Sequence, residues 1–240
     1  GKPSKSTASK DKSTKSAPRT KAVKAKPSAT KSDAVPASAC FSLDPVFAAL
    51  RKRVPATQQA QAKAFAEAFY KRMEDDEYPH HSPEGWAALA CDMLDFARVR
   101  KAGTANVRVF NASQKNNGWE SPHTVLQIVN EDMPFLVDSV SMALADAGIG
   151  VHVLGHPLVR FNRDKAGKIT AVGDGKAESL MLLEIDRQPA AQMPVIEAKI
   201  RKVLDEVRAI VQDWGTMREK MVSLSDELAT RRMPVDDAGR

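Results

Sequence analysis

Apolar residues follow three successive periods along this chain. From residue 43 to about 100 they recur at helical spacing. Asp44 is placed as an N-cap with Pro45 at the first helical position, and Val46, Phe47 and Leu50 fall on one face of a short helix that Pro55 ends. Phe65, Phe69 and Met73 stand four apart on a second helix, which stops before Tyr78-Pro79. Ser82-Pro83 opens a third, with Trp86, Leu89, Met93 and Phe96 inward and Gly103 just past its end. Aromatic residues at this spacing are core residues.

From residue 104 the period shortens. Val107 and Val109 alternate with polar neighbours, and Asn116-Asn117-Gly118 marks a turn. His123 to Val129 is a β-branched strand. Asn130 to Pro134 reads as a loop, and Phe135 to Ala147 as a helix with Leu136, Val140 and Leu144 on one stripe, closed by Gly148. Ile149 to Arg163 reads as one long strand, Asp164 to Gly167 as a hairpin turn and Ile169 to Val172 as the return strand. Gly173-Asp174-Gly175 is a loop, and Ser179 to Ile185 a further strand segment. Strand, helix, strand, strand, helix is the order of a ferredoxin-like α/β sandwich. The fold class is therefore α+β.

The last change is to a heptad. Ile200, Val203, Val207, Ile210, Trp214, Met217, Met221, Leu224 and Leu228 alternate three and four apart, with mostly charged residues between. Ile200 to Trp214 is expected to pack on the sheet. Met217, Met221, Leu224 and Leu228 are expected to run past it and meet another helix, in this polypeptide or in a second copy. Gly215 costs about 1 kcal/mol of helix propensity, so a break there is the natural alternative.

Charge sharpens this division. The 240 residues carry a net +6, yet residues 1–40 hold ten Lys/Arg against two Asp, a net +8, and the remainder is −2. The first forty residues contain no Leu, Ile, Met or aromatic side chain. Such a segment buries too little apolar surface to order itself and is expected to be a disordered basic tail. The folded part is not a basic nucleic-acid domain; only the tail is suited to weak polyanion contact. The expected division is 1–40 tail, 41–103 helical subdomain, 104–214 sandwich, and 215–240 helical extension with a fraying end.

Chemistry is sparse. No apolar run approaches the roughly 18 residues of a membrane span, and Cys40 and Cys91 form no framework or zinc pattern. A reducing, cytoplasmic setting is expected. No glycine-rich phosphate loop, nucleophile elbow or activated thiol is present. His152 and His156, four apart on a strand, are separated by about 13 Å, too far for one ion unless Gly155 bulges. No catalytic, cofactor or metal residue is expected in this segment. The candidate effector or interface loop is Asn130, Glu131, Asp132, Met133, Pro134 and Phe135, with Asp138 and Ser139 in the first turn of the helix that follows. Free N–H groups at such a helix start suit a ligand's carboxylate or a partner's backbone.

The run Asp132-Met-Pro-Phe-Leu-Val-Asp-Ser139, with His156-Pro157, Arg163-Asp164, Gly167, Glu178-Ser179-Leu-Met181, Glu184-Ile-Asp-Arg187 and Asp213-Trp214, resembles the N-terminal region of the large bacterial NAD-specific glutamate dehydrogenases. A weaker match extends through Ala64-Phe-Ala-Glu-Ala-Phe-Tyr70. The resemblance covers residues 43 to 230. It implies an ACT-like domain preceded by helices, in a parent enzyme that deaminates L-glutamate to 2-oxoglutarate and ammonia with NAD as hydride acceptor. The dehydrogenase domain would lie far downstream. The role implied for this segment is regulatory or architectural: binding an amino-acid effector, or joining subunits into a homo-oligomer. The alternative is a free-standing ACT-like module that senses an amino acid. Amino-acid-binding ACT domains usually carry a Gly just after the Asp-x-Pro of this loop; here that position is Phe135. A ring there is expected to fill the ligand space and to favour the interface role.

Overall fold

A computed structural model describes residues 42–71 and 82–230. The expected basic tail, Met73, Tyr78-Pro79, His80-His81, Cys40 and the fraying end after residue 230 lie outside the described residues.

Three helices come first: α1 (Asp44–Arg53), α2 (Ala56–Tyr70) and α3 (Pro83–Ala97). Leu43, not Asp44, occupies the N-cap of α1; Asp44 is the first helical residue, where its charge still suits the positive end of the helix dipole. Ser82 caps α3, its Oγ accepting from the Gly85 amide at 3.2 Å. α3 ends at Ala97, well before Gly103. The chain leaves the helix there because residues 98–100 pair with the hairpin around Gly167. Arg100 N donates to Gly167 O at 3.0 Å, and Ile169 N donates to Arg98 O at 2.9 Å.

β1 (Asn106–Phe110) follows, then a single-turn helix α4 (Gln114–Asn117) where a plain turn was expected. Ser113 caps its start, and Gly118, at φ 74°, closes it in the left-handed conformation. β2 spans Thr124–Glu131, two residues longer than its apolar stretch, so Asn130 and Glu131 are strand residues and not loop. α5 is Leu136–Ala145. The long strand expected over 149–163 is interrupted at His156-Pro157 into β3 (Val151–Gly155) and β4 (Leu158–Arg163), which lie one after the other along the same side of β6. Proline has no N–H to donate to a ladder, which accounts for the interruption. β5 (Ile169–Val172) and β6 (Lys176–Ile185) complete the sheet. α6 runs from Met193 to Thr230 without a break at Gly215.

The sheet order is β1-β2-β6-β4-β5, antiparallel throughout, with β3 on β6. β2, β6 and β4 are the first, third and second strands of a ferredoxin-like sandwich, with α5 and α6 as its helices. The place of the strand that would follow the second helix is taken by β1, which comes from the N-terminal side. The architecture is thus an ACT-like α+β fold in which an edge strand has changed its place in the chain.

Both sheet faces are covered. Val125, Val129, Val159, Phe161, Leu180 and Leu182 pack against α1–α3. Val107, Leu126, Ile128, Met181, Leu183 and Ile185 pack against α5 and α6. This explains why β2 and β6 read as continuous apolar runs instead of alternating. On α6 the residues that bury are Ile196, Ile200, Leu204, Val207 and Arg208. Ile210 and Trp214, expected to pack on the sheet, are exposed.

Gly167 tests the closure of the helical layer on the sheet. Its φ is 81°, and a Cβ there would run into the Arg100 carbonyl oxygen. Gly167→Ala should cost roughly 2–3 kcal/mol, from the left-handed backbone and from displacement of residues 98–100. Urea unfolding measures this; a loss below about 0.5 kcal/mol would show that the 98–100 pairing contributes little to stability.

Candidate effector and interface site

The predicted loop lies at the end of the sheet where β2 finishes, β6 begins and α5 starts. Alternation places Asn130 and Ser179, which face each other across β2 and β6, on the α5/α6 side. Glu131 and Glu178, the next pair, belong to the α1–α3 side.

Glu178 is the centre of this end. Its carboxylate is buried and receives both Nε and Nη2 of two guanidiniums. Arg100 donates at 3.0 and 3.0 Å, and Arg163 at 2.6 and 2.8 Å. Burial pushes the Glu178 carboxyl up, but the hydrogen bonds from Arg163 and Arg100 outweigh it, so its pKa lies below the ordinary value. The remaining donors of the two arginines close backbone gaps. Arg163 Nη1 reaches Ala97 O and Gly167 O, and Arg100 Nη1 reaches Thr104 O.

Glu131 extends the network to the long helix. Its carboxylate lies 3.7 Å from Arg100 Nη1 and 2.9 Å from Arg208 Nη1 on α6. Arg208 Nη2 donates to Asn130 Oδ1 at 2.5 Å. Two buried donors here have no hydrogen-bond partner, Asn130 Nδ2 and Arg208 Nε.

The other predicted residues separate. The exposed Asp132 is the charged neighbour of His156, whose Nε2 shares a hydrogen bond with Ser179 Oγ. Burial pulls the His156 pKa down and the Asp132 carboxylate only partly opposes it. Met133 packs against the α5/α6 core. Pro134 and Asp138 are exposed and Ser139 is half-buried. Phe135 is the one described non-glycine residue at positive φ (69°), and it is 63% exposed. Its ring therefore does not fill a ligand space, as its bulk had led one to expect; it takes the backbone conformation of a glycine and projects outward. His152 and His156 have different partners, Asp186 and Ser179. Burial, against the opposing charge of Arg53, pushes the Cys91 thiol up to about 11, so it is protonated at neutral pH.

Met217, Met221, Leu224 and Leu228 lie elsewhere. At 1.5 Å per residue they sit about 14 to 30 Å along α6 beyond Arg208. With Ile210 and Trp214 they form an exposed stripe, each between 45% and 69% accessible. The loop and the stripe are two places, joined by one helix.

A family model described as "Glutamate dehydrogenase, ACT1 domain" matches residues 65–200, more than half of the chain. The chain belongs to this family. Its relatives include an NAD-specific glutamate dehydrogenase of Halomonas elongata, 31% identical over 198 residues, which covers 79% of this chain and 12% of the relative. Another, of Pseudomonas aeruginosa, is 31% identical over 183 residues, covering 73% of this chain and 11% of the relative. The chain therefore spans about an eighth of the length of these curated relatives. The residues that carried the resemblance acquire physical roles in the ACT1 domain. Glu178, Arg163 and Gly167 build the buried ion triad and its backbone seat, and His156 and Ser179 pair beside it. Sequence reasoning missed Arg100, Arg163, Glu178 and Arg208 as partners of the loop. For Arg208 one signal was available: an arginine beside Val207, on the flank of an apolar stripe.

Replacing Glu178 by Gln leaves two buried guanidiniums without a counter-charge. The expected loss is roughly 3 kcal/mol, measured by urea unfolding at neutral pH. The wild-type contribution has a definite pH dependence. A carboxyl whose folded pKa lies below its unfolded value stabilises above the unfolded value, about 4.3, and loses that contribution as pH falls through the folded one. The difference between wild type and E178Q should therefore shrink on acidification. A difference that stays constant down to about pH 2 would remove the triad from the account.

Proposed function

We propose that this chain is the N-terminal regulatory and oligomerisation region of an NAD-dependent glutamate dehydrogenase. The parent enzyme would convert L-glutamate, NAD and water to 2-oxoglutarate, ammonia and NADH in the cytoplasm, with chemistry and NAD both housed downstream of this segment. The identity of the relatives as NAD-specific glutamate dehydrogenases and the small share of their length that the chain spans support this reading. The segment itself is non-catalytic in this proposal.

The observation that carries the oligomerisation role is the outer stripe of α6. Ile210, Trp214, Met217, Met221, Leu224 and Leu228 repeat at four-three-four-three-four spacing and are all exposed. They continue the face that Ile200 and Val207 bury against the sheet fourteen and seven residues before Trp214, past Arg208, the last residue that α6 buries. An apolar seam of alternating four and three spacing that runs on beyond the sheet fits a second helix packed along it. The partner proposed is the same helix of another copy, with the rest of the polypeptide continuing beyond. Each large apolar side chain buried there gains roughly 1.5–3 kcal/mol before the costs of association. The exposed Phe135 ring offers a smaller apolar contact at the loop.

A second reading rests on the orphaned donors. Asn130 Nδ2 and Arg208 Nε, beside the start of α5, suit an acceptor such as the carboxylate of an amino-acid effector. In that case the chain senses an amino acid at the loop, whether free-standing or attached to an enzyme. No described helix is long and apolar enough to cross a membrane.

Light scattering distinguishes the two. Met221 and Leu224 are exposed, so Met221→Glu/Leu224→Glu should leave unfolding midpoints within about 0.5 kcal/mol while converting the 240-residue chain from oligomer to monomer. A wild-type chain that is already monomeric overturns self-association through α6. Calorimetry with glutamate, aspartate, arginine and 2-oxoglutarate tests the second reading; heat that disappears in Arg208→Gln supports it, and no heat with any of the four sinks it.

A further inference from the structure

A groove lies on the outer side of the helical layer, where α2 and α3 meet the start of β5, with Arg53 and Lys168 among its lining residues. Two hollows of about 200 and 210 Å³ lie there. Gln58, Gln61, Leu94 and Arg98 line both, so the two lie side by side along one groove. The first hollow reaches Arg53; the second reaches Lys168 and Ile169. This groove is separate from the loop at Asn130 and from the α6 stripe.

Its chemistry is distributed along its length. Ala62, Leu94 and Ile169 make an apolar floor, with Val54 and Pro55 beside Arg53. The carboxamides of Gln58 and Gln61 line the α2 wall and offer both donors and acceptors. Arg98 on the α3 wall is neutralised by its ion pair with Asp95. The two ends are different. Arg53 and Lys168 have no carboxylate partner among the described residues. Arg53 is nevertheless held in place. Its Nη2 donates to Asn117 O at 3.3 Å, and its guanidinium lies where a Cβ on Gly118 would be. At the other end the Lys168 backbone is fixed by the Asp164 carboxylate, which accepts its N–H at 2.9 Å. An uncompensated cation therefore stands at each end of a short apolar trough. The first hollow also holds the Asp95 carboxylate, whose charge Arg98 takes up, and the Cys91 thiol, which is neutral.

We propose that this groove binds a short linear dicarboxylate, one carboxylate at Arg53 and the other at Lys168, with the hydrocarbon chain on Ala62, Leu94 and Ile169. A carboxylate on an arginine forms a charge-assisted, bidentate contact. The apolar floor accepts methylene groups and rejects a second charge in the middle. The glutamines hold the edges of the ligand. A ligand with a single acidic group satisfies only one end.

The test is a titration of the ¹⁵N-labelled 240-residue chain with glutarate, read at the side-chain amide signals of Gln58 and Gln61. A saturable shift of these signals is expected. Arg53→Gln and Lys168→Gln should each weaken binding about tenfold, the equivalent of about 1.4 kcal/mol. Both residues are exposed, and unchanged backbone spectra of K168Q establish that its fold is intact. Butyrate, with one carboxylate, should bind about tenfold more weakly than glutarate. Affinity should fall as salt is raised. The proposal is overturned by an absence of saturable shifts, by equal affinity in K168Q and wild type, by butyrate matching glutarate, or by inorganic phosphate matching it.

Discussion

The fold turns on one buried carboxylate. Glu178 sits at the start of the central strand β6 and receives four N–H groups from Arg100 and Arg163. Buried ions cost several kcal/mol each unless paired, and their mutual attraction repays this only when the geometry is good and the remaining donors are satisfied. Here both conditions hold. Arg100 and Arg163 spend their other donors on the carbonyls of Ala97, Gly167, Lys101 and Thr104. Those carbonyls belong to the exit of α3, the β4–β5 hairpin and the approach to β1. One carboxylate thus fixes where the helical layer leaves and where the sheet begins.

The same end of the sheet carries the long helix. Glu131 joins Arg100 to Arg208, and Arg208 holds Asn130. α6 is consequently pinned about halfway along its length, close to the start of α5. Its first half buries a stripe against the sheet; its second half carries the exposed seam. Both faces of the sheet are covered, which leaves the outer half of α6 and the Phe135 ring as exposed apolar surface.

Much of the fold was legible along the chain, because amphipathic periods and turn residues act locally. Phe65 and Phe69, Trp86 and Met93, and Leu136, Val140 and Leu144 stand in the core as their spacing indicates. The limits came from interactions distant in sequence. α3 stops at Ala97 because residues 98–100 find a partner near Gly167. Asn130 and Glu131 continue β2 because β6 extends beside them, although polar side chains there resemble a loop. Phe135 adopts a glycine's conformation that no local preference favours. Gly215, exposed and with nothing within 4 Å of a Cβ position, stays helical within a 38-residue helix. Its propensity cost is small beside that of breaking a continuous helix.

The sequence alone determined the alternation of helix and strand, the apolar stripes, the separation of a basic leader from a mildly acidic body, and the motif run that places the chain in its family. Each of these rests on residues close together in the chain. The tertiary structure alone decided that β1 fills the edge position of the sandwich and that α1–α3 cover the second face of the sheet. It also decided that Arg100, Arg163 and Arg208 converge on Glu178, Glu131 and Asn130. Those pairings join residues up to 78 positions apart, and charge partners carry no spacing signal: an arginine and a glutamate read the same whether they meet in the core or in water.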